Sequence, residues 1–210
     1  MDFFDKNIKV APVVALDIGN VCIYIHPHEC AVELGFESVE HLKATNPEIF
    51  SIALDLESGK ISSTEFLEQL KSSIRQDLTD QILVDIWNRL IGIEIDGMAE
   101  IVDEILAMNL RPVFFSNISD LHYECVINKL SFVEQIHGAV LSYEIGDVKP
   151  NSLIYEVMEE KFCDGGVPAL YLDDRPENIE SAIARGWNSY QVGSIAGIQE
   201  RLAQLKRDVI

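Results

Sequence analysis

Val13-Val14-Ala15-Leu16-Asp17-Ile18-Gly19-Asn20-Val21 continues an apolar run, Pro12–Leu16, that is closed by the carboxylate of Asp17 and followed by a glycine turn. A run without polar alternation suits a strand covered on both faces, as in a parallel sheet. The pattern recurs downstream. Val113–Phe115 leads into Ser116, Ala139–Leu141 into Ser142 and Ala169–Leu172 into Asp173, with Tyr190–Val192 as a weaker fifth strand.

Amphipathic helices fill the intervals. Asp96 is placed to cap a helix whose apolar face is Met98, Ile101, Val102, Ile105 and Leu106. Pro150 would start another, with Ile154, Val157, Met158 and Phe162 at helical spacing. Pro176 would start a third, bearing Ile179, Ala182 and Ile183 and stopped by Gly186, and Ile195, Ile198, Leu202 and Leu205 mark the last. Strand–helix alternation predicts a doubly wound α/β sheet with right-handed crossovers.

From about Ile25 to Ile95 the rhythm breaks into helical patterns with no strand signal. Ser62 and Glu65 form a capping box ahead of Phe66, Leu67, Leu70 and Ile74, and a further helix carries Ile82, Ile86, Trp87 and Leu90. Inserted after the first strand, this segment would lie above the carboxyl ends of the strands, where ligands of open α/β sheets bind.

Composition narrows the function. Thirty-five acidic residues against 16 basic give a formal charge of −19, which excludes nucleic acid and anionic membrane surfaces as partners. An anionic substrate would need a divalent cation to reverse that field locally. Apolar residues make up 48% of the 210, enough for a packed core. No apolar run approaches the roughly 20 residues of a membrane span. Met1–Lys9 lacks the basic start and apolar stretch of an export signal. Cys22, Cys30, Cys125 and Cys163 show no paired spacing, which points to a reducing cytoplasm. No feature specifies an oligomeric interface.

The strand ends present, in order, Asp17, Ser116, Lys149 and the Asp173–Asp174 pair. Singly, each has a plain reading: carboxylates as helix caps, Ser116 as a turn hydroxyl, Lys149 as a solvated loop lysine. Together, on one sheet edge, they form a carboxylate cluster for a hard cation plus a hydroxyl and an ammonium for phosphoryl oxygens. Phosphoryl transfer needs that set, because its catalysis is mostly positioning and charge neutralisation.

These residues resemble the four ordered motifs of the haloacid-dehalogenase (HAD) superfamily. Val13–Val21 is similar to the first motif, Phe114-Phe115-Ser116-Asn117 to the second, Lys149-Pro150 with Ile154-Tyr155 to the third, and Leu172-Asp173-Asp174-Arg175-Pro176-Glu177-Asn178-Ile179 to the fourth. The resemblance implies a Rossmann-like HAD core over residues 1–24 and 96–210 and a small helical cap over 25–95. The Asp-Ile-Gly-Asn-Val form and Gly59-Lys60-Ile61-Ser62 are most similar to the branch containing glucose-1-phosphate phosphatases. It further implies a phosphatase of a small phosphorylated metabolite. Asp17 would be the nucleophile, and Ser116 and the Asn117 backbone would hold phosphoryl oxygens. Lys149 would neutralise both nucleophile and phosphate. Mg2+ would sit between Asp17, the Gly19 carbonyl and Asp174, with Asp173 assisting.

One position departs from the pattern. Most phosphatases of the family carry an acid/base aspartate two residues after the nucleophile, and this chain has Gly19. An acid-free site would favour substrates with easily departing leaving groups, unless His26 on the following segment substitutes as donor. The competing reading for His26 and His28 is a solvated loop pair. Alternatives at the level of function are a pseudoenzyme that binds magnesium and a phosphorylated ligand, and a metal-free dehalogenase. A phosphoacceptor receiver module fits poorly, since its acidic pair follows the first strand. Cys22, Trp87 and Trp187 read as packing residues, Trp187 at a helix-to-strand corner, and Glu156, Glu159 and Glu160 as a solvated helix face.

Overall fold

The computed structural model describes residues 11–74 and 78–209; the amino-terminal segment read above for an export signal lies outside them. β1 (Val13–Leu16) and β2 (Ile23–Ile25) precede five helices, α1 (Pro27–Glu33), α2 (Val39–Thr45), α3 (Glu48–Glu57), α4 (Ser63–Ile74) and α5 (Asp80–Trp87). Then come β3 (Ile91–Glu94), α6 (Met98–Ala107), β4 (Arg111–Ser116), α7 (Asp120–Ile127), β5 (Ala139–Leu141), α8 (Ser142–Ile145) and α9 (Ser152–Phe162). The chain closes with β6 (Leu170–Asp173), α10 (Pro176–Ala184), β7 (Ser189–Gln191) and α11 (Ile195–Val209).

Five parallel strands stand in the order β5-β4-β1-β6-β7. The chain builds outward from β1 to β5, then returns to build the other half from β6. The crevice between β1 and β6 is the switch point of this doubly wound sheet, and ligands of such sheets bind there. The pleat sorts the apolar runs between two faces. Val14, Leu16, Phe114 and Leu172 pack with Ile101 of α6, Val126 of α7 and Ile198 of α11. Val13, Ala15, Phe115 and Tyr171 pack with Tyr155 of α9 and Ile179 of α10. Two covered faces are the reason the strands lack polar alternation.

Helices α1–α5 bury a third apolar cluster of their own, including Cys30, Leu42, Ile52, Phe66, Leu70 and Trp87. The capping box forms as expected: the Ser62 N–H donates to Glu65 Oε2 at 2.8 Å and the Glu65 N–H to Ser62 Oγ at 3.3 Å. In α5 the buried face is Leu83 and Trp87, while Ile82 is exposed.

Several expectations need correction. The interval 25–95 is not wholly helical, because β3 pairs antiparallel with β2, setting Ile23 opposite Glu94 and Ile25 opposite Ile91. These strands are too short to show a period, and each is specified by its partner rather than by a buried face. Asp96 is not the cap of α6: Gly97 holds that place at φ 90°. Likewise α9 starts at Ser152 behind Asn151, so Pro150 precedes the helix. Glu159 is not a free solvated carboxylate: it is half-buried, and Arg185 and Trp187 Nε1 both donate to it. Pro176, Gly186 and the Trp187 corner stand as read.

Candidate active site

Asp17 lies just past β1, Ser116 closes β4, and Asp173 closes β6 with Asp174 behind it. Lys149 does not end a strand as the sequence suggested; it reaches the same edge from the segment between α8 and α9, which has a cis peptide to Pro150. The residues selected from the sequence therefore converge at the switch point.

Lys149 organises the centre. Its Nζ donates to Asp17 Oδ1 at 2.9 Å, to Asp173 Oδ2 at 2.6 Å and to the Phe115 carbonyl at 2.7 Å. An ammonium has three N–H groups, so all are occupied by protein oxygens. The residue is 3% exposed, and the rings of Phe115 and Tyr171 lie 5.0 and 5.6 Å from the charge. Burial opposes the charged form, yet Asp17 and Asp173 together hold the Lys149 pKa above its ordinary value.

The carboxylates differ in how they are held. Asp173 also accepts from the Tyr171 hydroxyl, from the Arg175 N–H at 2.8 Å and from Asn178 Nδ2 at 3.1 Å. Against the effect of burial, Lys149 and these donors keep its pKa below the usual range. At Asp17 burial wins. Opposed by Lys149 and reinforced by the charge of Asp173, it lifts the pKa to about 6. Asp174 is the outlying member, its Oδ2 accepting from Asn20 Nδ2 at 3.1 Å. Asn20 sits at φ 53°, and its Oδ1 accepts from the Ile25 N–H at 3.3 Å, which ties the turn after Asp17 to Asp174.

One ligand atom from each of Asp17, Asp173 and Asp174 lies within 4.8 Å of the others. Three carboxylates facing one ammonium leave an excess of negative charge in a partly desolvated crevice. An oxygen-rich donor set with that excess fits a hard divalent cation. Because four donors engage Asp173, the fit rests chiefly on Asp17 and Asp174.

Asn117 has a structural task as well. Its Nδ2 donates to the Lys149 carbonyl at 2.9 Å and its Oδ1 accepts from the Lys149 N–H at 2.7 Å. That side chain pins the lysine segment, leaving the backbone as Asn117's means of contacting a ligand.

The cavity over these groups holds about 200 Å³ and is lined by Asp17, Gly19, Ser116, Lys149, Asp174 and Arg175, with Glu57 and Leu90 contributed by the helical layer. His122 also lines it, stacked on Trp87, with Nε2 at 3.2 Å from the Trp87 carbonyl. Burial depresses the His122 pKa to about 4, so the ring is neutral near pH 7. A Cβ on Gly19 would stand 3.2 Å from Ile25 Cγ1, so a side chain at position 19 would press on Ile25. His26 does not reach the cavity. It packs over Gly92 beside Glu29 and lines a separate surface pocket, so the substitute-donor reading for it fails on position. Asn20, Glu57, His122 and Asn178 escaped the sequence reading as site residues. The one signal was Glu57 standing two residues before Gly59-Lys60-Ile61-Ser62.

The chain has the fold of HAD-family enzymes. It is similar to the HAD-family enzyme BT-2542 from Bacteroides thetaiotaomicron, with 22% identity, a TM-score of 0.77, and coverage of 88% of this chain and 95% of that one. A structure of BT-2542 in complex with magnesium and inorganic phosphate matches at 20% identity and a TM-score of 0.72, over 87% of this chain and 94% of that one. L-2-haloacid dehalogenase from Xanthobacter autotrophicus, with chloropropionic acid covalently bound, matches at 14% identity and a TM-score of 0.62, over 92% and 83% respectively. No protein-family model and no curated protein sequence matches the chain. Among the described residues no helix is long and apolar enough to cross a membrane.

Proposed function

We propose that this chain is a magnesium-dependent phosphatase of a small phosphorylated metabolite, a sugar phosphate by the closest motif resemblance, acting in the cytoplasm through an aspartyl-phosphate on Asp17. The observation that carries the reading is the acidic excess at the switch point, where Asp17 and Asp173 share the ammonium of Lys149 and Asp174 adds a third carboxylate beside them. A haloacid dehalogenase shares the fold, but displacement of halide needs no cation, and Asp174 would then have no task. The neighbour solved with magnesium and phosphate supports the same choice.

Asp17 and Asp174, with the Gly19 carbonyl, would hold magnesium, and Asp173 would act mainly through Lys149. When bound, the cation neutralises phosphoryl charge and holds the phosphorus against the nucleophile. Lys149 keeps Asp17 oriented and favours its ionised form despite burial. The Ser116 hydroxyl and the Asn117 backbone would hold phosphoryl oxygens, and Arg175 stands on the cavity wall as a further cation. Helices α1–α5 roof the cavity as the cap.

Hydrolysis of p-nitrophenyl phosphate with and without magnesium, in wild type and Asp17→Asn, tests this. Metal-dependent turnover that falls at least 100-fold in the variant is expected, since an amide cannot attack phosphorus. Retention of more than a few per cent overturns the nucleophile. Phosphate binding without turnover would make the chain a pseudoenzyme, and metal-free halide release from a 2-haloacid would make it a dehalogenase.

A further inference from the structure

We infer that Glu57, at the carboxyl end of α3, is the proton donor to the leaving group, replacing from the helical layer the carboxylate that position 19 lacks. This rests on the phosphatase reading of the Asp17 site.

Geometry singles it out. Glu57 lines the same cavity as Asp17, on a wall that belongs to the helical layer rather than to the sheet. The titratable groups facing that cavity are Asp17, Glu57, His122, Lys149, Asp174 and Arg175. All N–H groups of Lys149 are occupied, Asp174 is held by Asn20, Arg175 pairs with Glu177, and neutral His122 directs Nε2 at the Trp87 carbonyl. Among the described residues no donor hydrogen-bonds the Glu57 carboxyl group.

Its position is built, not incidental. Ser142, the first residue of α8, donates its hydroxyl to the Glu57 carbonyl at 2.6 Å. Two residues on, Gly59 turns at φ 65° so close to the sheet that a Cβ there would lie 2.2 Å from the Tyr143 carbonyl. The end of α3 is thereby docked on the core, and Glu57 is held over the crevice. Burial, with a further push from Asp17 against a pull from Arg175, raises its pKa to about 7, which suits a group that both gives and takes a proton near neutrality.

The proton inventory closes. As an Asp17 oxygen bonds to phosphorus, the P–O bond to the leaving group breaks, and its electron pair takes the proton of the Glu57 carboxyl group. The Glu57 carboxylate then removes a proton from water, whose oxygen attacks phosphorus and breaks the bond to Asp17. Phosphate leaves, and Glu57 is protonated again.

The test is kcat/KM, which reports through formation of the aspartyl-phosphate, across phosphate esters of rising leaving-group basicity, from p-nitrophenyl through phenyl to alkyl phosphates. Measurements use wild type, Glu57→Gln, Glu57→Asp and His26→Ala with saturating magnesium. Glu57→Gln should hold p-nitrophenyl phosphate within about threefold and lose about 10²–10⁴-fold on alkyl phosphate. Glu57→Asp should recover part of that loss, and keeps the test alive if the glutamine variant misfolds. His26→Ala should match wild type throughout. An equal loss across the series would reduce Glu57 to a positioning residue, and no loss, or a steepened series in His26→Ala, would overturn the assignment. A wild type inactive on every ester would overturn the phosphatase reading itself, a distinct result.

Discussion

Lys149 Nζ lies 2.9 Å from Asp17 Oδ1, and its other two N–H groups bind Asp173 and the Phe115 carbonyl. The lysine therefore serves the carboxylates before it serves any ligand. Replacing it with an isosteric apolar chain, Lys149→Met, leaves two buried carboxylates facing each other. Loss of one partner of a buried ion pair costs about 3–5 kcal/mol, and urea denaturation should find a destabilisation of that order. A change below about 1 kcal/mol would mean that the centre relaxes around the missing charge.

The excess acidity at Asp17, Asp173 and Asp174 predicts stabilisation by the cation that relieves it. Magnesium at about 100 times its Kd should add about 2.7 kcal/mol to unfolding free energy, seen as a rise in Tm. Asp174→Ala should abolish most of that rise. An identical shift in the variant would remove Asp174 from the metal site.

His122 makes the fold acid-sensitive. Its pKa is near 4 when folded and near 6.5 when unfolded, so between those values the unfolded chain binds more protons. Stability then rises with pH across that window and is lost as pH falls through it, by about 3 kcal/mol in total. Glu57 acts in the opposite sense, because its raised pKa makes stability fall as pH rises from about 4.5 to about 7. Comparison with His122→Gln isolates the histidine: the difference in denaturation midpoint between pH 7 and pH 5 should shrink in the variant. An unchanged difference would show that the ring is charged when folded.

The helical layer meets the sheet at two unlike places. The crossings form a hydrogen-bonded ribbon, with the His26 N–H donating to the Leu90 carbonyl at 2.8 Å and the Ile95 N–H to the Cys22 carbonyl at 3.0 Å. The other junction is the close approach at Gly59. If the layer opens as a cap, it should part at Ser142–Glu57 and bend at the ribbon. Gly59→Ala combines strained φ with a clash and should cost about 2 kcal/mol or more. It should also speed hydrogen exchange near the end of α3 while leaving the ribbon amides protected. Faster exchange at the ribbon instead would place the weak junction there.

Pro12–Leu16, Val113–Phe115 and Ala169–Leu172 were legible as strands, and the convergence of Asp17, Ser116, Lys149, Asp173 and Asp174 on one sheet edge followed from them. Hydrophobic runs and strand-end residues are local signals, and a parallel sheet converts sequence order at its carboxyl edge into proximity. The capping box at Ser62 was local in the same way. What the tertiary structure alone decided are contacts between segments with no common period. β2 and β3 exist because each completes the other's hydrogen bonds across the helical insertion. That Asn117 clamps Lys149, that Asn20 holds Asp174 and that His26 faces Gly92 depend on backbone direction at single residues. Glu57 is 40 positions from Asp17 in the chain, and its one local signal, the nearby Gly59-Lys60-Ile61-Ser62, does not say which way its side chain faces. Its place follows from the Ser142 hydroxyl and from the missing side chain at Gly59, a packing relation that pattern and propensity do not encode.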